Sequence, residues 1–115
     1  MTSSNATHVE FVTLAEAYLD EMMEIELEAY PEPWSRGMFR EEIRNNRSYF
    51  YVMLQDGQLA GYGGFWLVLD EAHITSVTVR DCLRGRGLGR RLTQHLLEVA
   101  EGVGGVLRPL QSRCR

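Results

Sequence analysis

The chain has 115 residues, 44% apolar, 10% aromatic and 24% charged, which is the size and composition of one globular domain with its own core. No apolar run approaches the roughly 18 residues of a membrane-spanning helix, and Met1 to Asn5 is polar and unlike a secretory signal. The net charge of −4 argues against nucleic acid as a partner, and Cys82 and Cys114 lack the spacing of a disulfide framework or a zinc site. A cytoplasmic protein without metal is expected, and the Asn-x-Ser/Thr patterns at Asn5 and Asn46 read as chance.

Residues 8–12 alternate weakly and predict a short first strand. Thr13-Leu14-Ala15-Glu16 has the form of a capping box, with Thr13 as N-cap and Glu16 reaching back. Behind it Leu14, Tyr18, Met22, Ile25 and Ala29 recur at helical spacing, with Asp20, Glu21, Glu24 and Glu28 on the opposite face. That acidic face reads as solvated rather than as a guide for a basic peptide. Pro31 and Pro33 end this helix, and Ser35 caps a second one over Arg36–Arg44, with Phe39 and Ile43 four apart.

The aromatic and β-branched run Ser48 to Leu54 predicts a strand, and Asp56-Gly57 after it is a strong hairpin signal. The strand returns over Gln58 to Leu69, where Gly61, Gly63 and Gly64 indicate a bulge or a close backbone approach. Asp70-Glu71 reads as a turn and His73 to Val79 as a fourth strand. Arg84-Gly85-Arg86-Gly87-Leu88-Gly89 then leads into a helix with Leu88, Leu92, Leu96 and Val99 on one face and Gly102 at its end. The order β-α-α-β-β-β-α predicts one α+β domain with α/β/α layers. Val103 to Arg115 shows no pattern.

A strand, a glycine-rich loop bearing arginines and then a helix make a recipe for holding phosphate. Glycines let successive N–H groups converge, the helix N-terminus adds free donors, and guanidinium groups add charge-assisted bonds. There is no lysine in the chain, and Arg80, Arg84, Arg86, Arg90 and Arg91 stand against Asp81 alone in this stretch. Such a patch on an acidic chain suits a compact anion better than a long polyanion. The loop is neither a dinucleotide fingerprint, since Arg90 stands where the last glycine belongs, nor a P-loop, which needs a lysine. What it does fit is R-x-x-G-x-G, through Arg84, Gly87 and Gly89.

On that signature the chain resembles the GCN5-related N-acetyltransferase (GNAT) superfamily. With Pro33-Trp34-Ser35, Asp70-Glu71-Ala72 and Val77-Thr78-Val79 it is similar to the ribosomal-protein-alanine N-acetyltransferases of RimI type, over about residues 8–102. The resemblance implies the GNAT acyl-CoA acyltransferase fold and acetyl transfer from acetyl-CoA, a cosubstrate, to a primary amine. The acceptor implied is the N-terminal α-amine of a ribosomal protein. It implies that the strand at Val77, Thr78 and Val79 offers backbone groups to the pantetheine arm and thioester. Gly85, Arg86, Gly87, Leu88, Gly89 and Arg90, with Arg84, would hold the pyrophosphate.

Enzymes of that type continue with a strand reading roughly L-E-V-R-x-S-N and a helix carrying L-Y-x-x-x-G-F, which supply the usual base and acid. Neither segment is present in the sequence, so the last strands of the fold are expected to be missing. A shifted reading frame through Arg108 to Arg115 is one explanation. Glu71 and His73 are the candidates to replace the base; Trp34 reads as a packing anchor, and Tyr30 and Tyr62 as possible borders of the acceptor site. His8, His95 and both cysteines read as structural or incidental. The fourth strand is expected to be an exposed edge inviting a homodimer, unless Val106-Leu107 patches it. The alternatives are a non-catalytic remnant binding acyl-CoA weakly, and an anion-binding interaction module.

Overall fold

A computed structural model describes residues 8–108 and 113–114. In chain order it contains β1 (Val9–Thr13), α1 (Leu19–Ala29), α2 (Arg36–Arg44), β2 (Ser48–Gln55), β3 (Gln58–Val68), β4 (Glu71–Val79), α3 (Leu88–Gly102), β5 (Val106–Arg108) and β6 (Arg113–Cys114). Strands β1 to β4 form an antiparallel meander, and β5 and β6 both join β4 in parallel.

The capping box does not form. Thr13 is spent pairing β1 with Tyr51 of β2, and Glu16 to Tyr18 make a 3-10 turn without a side-chain cap. Glu16 instead takes three hydrogen bonds from Arg40 on α2, which is a stronger electrostatic partner than a single backbone N–H. Ser35 does cap α2, accepting from the Met38 N–H at 3.2 Å. Phe39 is fully buried, but Ile43 is 40% exposed. The inward turn of α2 is completed by Glu42 instead, which accepts from Ser48 Oγ and Trp66 Nε1, both at 2.8 Å.

Alternation along the strands divides the core in two. Phe65, Ala72, Val77 and Val79 face α3 and pack on Leu88, Leu92, Leu96 and Ala100. Phe50, Val52 and Tyr62 face α1 and α2 and pack on Leu19, Met22, Ile25 and Phe39. The result is the expected helix–sheet–helix sandwich.

The β2–β3 hairpin turns at Asp56 and Gly57, both at positive φ (51° and 83°), the geometry that Asp-Gly favours. The β3–β4 turn falls one residue earlier than the sequence suggests, at Leu69 (φ 58°), so β4 already begins at Glu71. The β3 glycines have the close-approach role. A Cβ on Gly63 would lie 2.6 Å from the Ser76 carbonyl oxygen, and one on Gly64 2.6 Å from the Phe50 ring. Between Gly64 and Phe65 the pairing with β4 skips Thr75, which forms a bulge in the middle of β4.

The stretch after Val103 differs most from expectation. Val106 to Arg108 run alongside Glu71 to His73, and Arg113–Cys114 alongside Ser76–Val77. The edge of β4 is therefore covered over much of its length, as the Val106-Leu107 patch anticipated, and the exposed-edge premise for a homodimer is removed there. The reading-frame question concerns residues 108–115, most of which lie outside the described residues.

Candidate functional site: the loop at the start of the third helix

Beyond Val77 no strand among the described residues pairs with this edge of β4. Arg80 N–H bonds to the Ala60 carbonyl at 2.8 Å. By the alternation of an antiparallel ladder, the Val79 N–H and C=O then point away from β3. After a 3-10 turn at Asp81–Leu83 the chain curls through Gly85 (φ 82°) and Gly87 (φ 79°) into α3. Both glycines occupy left-handed geometry, and a Cβ on either would meet nothing within 4 Å. No described residue therefore fills the space beside these two glycines.

The N–H groups of residues 85–90 donate to no described residue; the first bond of this helix is Arg91 N–H to the Gly87 carbonyl, 3.1 Å. Unpaired amides at the positive end of a helix are donors that an anion can use. Beside them Val79, Leu83, Arg84, Gly85, Leu88 and Gly89 line a cavity of about 230 Å³.

The arginines divide into two roles. Arg84 braces the loop: its Nε donates to the Val79 carbonyl at 3.2 Å, and its guanidinium meets Asp81 at 2.6 Å. Arg86 and Arg90 are exposed and make no ion pair among the described residues. Val77 and Val79 direct their side chains into the core, so only their backbone is at hand. Thr78 faces the other side of the sheet, where its Oγ1 lies 2.7 Å from the Tyr30 hydroxyl.

Glu71 and His73 pair at 3.1 Å at the far end of β4. Trp34 packs against Phe39 and Phe50, an anchor as expected. Tyr62 is fully buried rather than bordering an open site, and its hydroxyl donates to Glu26 Oε1 at 2.5 Å. Sequence reasoning missed Glu26, a buried carboxylate that also accepts from the Trp34 N–H at 2.7 Å. The available signal was its place four residues after Met22 and three before Ala29, on the buried face of α1. Among the described residues no cluster suited to a metal ion occurs, and no helix is long and apolar enough to cross a membrane.

On the opposite flank of α3 a groove of about 420 Å³ is lined by Phe11, Arg90, Arg91, Gln94, His95 and Glu98. The His95 ring stacks on Phe11 (4.2 Å, 7°) and meets Tyr51 edge-on (4.6 Å, 84°). Burial lowers the His95 pKa below its usual 6.5, and Glu98 opposes that only in part. The unfolded chain therefore binds this proton more readily than the folded one. The stability this supplies is complete above pH 6.5 and is lost as pH falls below it. Thermal melts should show Tm falling between pH 7.5 and 5.5, less so in His95→Phe, which keeps the ring stack. An equal fall in both proteins would exclude His95 as the source.

The family model for the acetyltransferase (GNAT) family matches residues 19–111. The chain belongs to the GNAT acetyltransferase family. It is 32% identical over 80 residues to the [ribosomal protein bS18]-alanine N-acetyltransferase of Escherichia coli (strain K12), covering 70% of this chain and 53% of that protein. It is 28% identical over 95 residues to the N-alpha-acetyltransferase RimI of Mycobacterium tuberculosis (strain ATCC 25618 / H37Rv), covering 79% and 60%. The chain thus spans little more than half the length of these curated relatives.

Among solved structures, the ribosomal-protein-S18-alanine N-acetyltransferase from Escherichia coli superposes with a TM-score of 0.78 at 29% identity, over 87% of this chain and 64% of that one. The PaiA N-acetyltransferase from Thermoplasma acidophilum, solved in complex with coenzyme A, superposes at 0.68 over 84% and 74%. At 15% identity that likeness shows the GNAT fold alone.

Proposed function

We propose that this chain binds acetyl-CoA and transfers its acetyl group to the N-terminal α-amine of a protein, a ribosomal protein by similarity to its relatives. One observation carries the reading: the six N–H groups of residues 85–90, at the start of α3, have no partner among the described residues, and no described atom lies within 4 Å of a Cβ on Gly85 or Gly87, which leaves room for a diphosphate. Coenzyme A suits this site, because a diphosphate needs donors and positive potential while its pantetheine arm needs a strand edge with free backbone groups. Gly85 to Arg90 supply the first and the Val79 N–H the second, its carbonyl being held by Arg84, while Arg86 and Arg90, which make no ion pair among the described residues, add charge. Acetyl-CoA brings a thioester whose carbonyl carbon an uncharged amine can attack. A backbone N–H of the Val77 to Val79 strand would polarise that carbonyl's oxygen. A cytoplasmic location accords with such a partner.

The test is titration with acetyl-CoA, followed by thiol release in the presence of a peptide with N-terminal alanine. Gly87→Val places a β-branched residue at φ 79°, a conformation such residues avoid, and sends a side chain into the cradle. Affinity for acetyl-CoA should fall at least tenfold (about 1.4 kcal/mol), with the helical circular-dichroism signal retained. Unchanged affinity would count against the cradle. Binding without thiol release would select the alternative, an acyl-CoA-binding domain without turnover.

A further inference from the structure

Along β4, Ala72 and Ile74 face α3, so His73 falls on the opposite face, that of α1 and α2. Its cross-strand partner there is Trp66, whose indole N–H is held by Glu42. Only 17% of the His73 side chain is exposed, and its Nε2 lies 3.1 Å from Glu71 Oε1. A carboxylate accepts only, so in the neutral imidazole Nε2 carries the proton and Nδ1 presents its lone pair. That Nδ1 is buried and has no hydrogen-bond partner among the described residues. A carboxylate that orients an imidazole, leaving its second nitrogen free to accept, is the arrangement of a general base in a catalytic triad.

We propose that His73, oriented by Glu71, is the general base that takes a proton from the acceptor amine; this rests on the acetyl-transfer reading above. Three residues lie between His73 and Val77, and one of them, Thr75, is taken up by the bulge. About 10 Å of strand therefore lies between them. In this proposal the acceptor amine enters that interval and reaches Nδ1 directly or through one water. Thr78 and Tyr30 lie further along the same face, so the acceptor approaches from the side of α1 and α2. The nitrogen–carbon bond forms and the carbon–sulfur bond breaks. Of the two protons the acceptor ammonium loses, one passes to His73 Nδ1 and on to solvent, and the other ends on the thiolate sulfur.

The experiment compares wild type, His73→Gln, His73→Ala and Glu71→Gln by acetyl-CoA titration and by steady-state acetylation of an N-terminal alanine peptide. His73→Gln should lower kcat by about 10²–10³-fold with acetyl-CoA affinity unchanged. Added imidazole should restore part of the rate to His73→Ala, a rescue that a structural role does not give. Glu71→Gln should lower kcat less, since the ring keeps a hydrogen-bond partner. A His73→Gln enzyme within threefold of wild-type kcat overturns the assignment, as does loss of acetyl-CoA binding in both His73 variants, which would mark the pair as structural. A wild type that binds no acetyl-CoA overturns the acetyl-transfer reading itself, and this assignment with it.

Discussion

Replacing Phe39 by alanine should lower the unfolding free energy by about 3–5 kcal/mol. This is a large part of the roughly 5–15 kcal/mol that holds a domain of this size together. Phe39 is fully buried where α2 meets the sheet. Its ring meets Phe50 (6.0 Å, 78°) and Tyr62 (5.7 Å, 85°) edge-on and Trp34 at 5.3 Å. Alanine removes the apolar area and three ring contacts together, leaving a cavity between layers that cannot close without shifting a helix. Urea unfolding should show a lower midpoint with an unchanged slope. A loss under about 1.5 kcal/mol would mean that α2 can collapse into the gap and that the aromatic cluster does not set its position.

Replacing Glu26 by alanine has a comparable effect for a different reason. The carboxylate is fully buried and is the acceptor for Tyr62 on β3 and for the Trp34 N–H in the turn between α1 and α2. Losing the acceptor of a buried donor costs about 1–3 kcal/mol per bond, and both go at once. Glu26→Gln should cost about half as much, because one amide oxygen replaces only one of the two acceptors. Equal costs for the two variants would show that shape rather than hydrogen bonding is what the site requires.

Much of this architecture was legible in the chain because local and global preferences agree. Asp56-Gly57 demands positive φ and receives it; Ser35 caps α2; the Leu88, Leu92, Leu96 stripe faces the sheet. The glycines of β3 were legible as a need for close approach. Where the reading failed, a distant partner outcompeted a local one. Thr13 and Glu16 fit a capping box, but β2 claimed the first and Arg40 the second. Arg84 was expected on a phosphate, yet a carbonyl and a carboxylate within five residues hold it. Glu26 was hidden because a carboxylate on an acidic helix reads as solvated until its partners on β3 are known. The short strands after Val103 lack any periodic signal of their own, since their pairing is supplied by β4.

The loop before α3 is the part on which the functional reading depends, and backbone amide resonances report on it directly. In a ¹H–¹⁵N correlation spectrum titrated with coenzyme A, the amides of Gly85, Arg86, Gly87, Leu88, Gly89 and Arg90 should shift most, followed by Val79. Shifts confined to Phe11, Gln94 and His95 around the other groove, or a spectrum unmoved at saturating coenzyme A, would contradict the assignment of this loop as the diphosphate cradle.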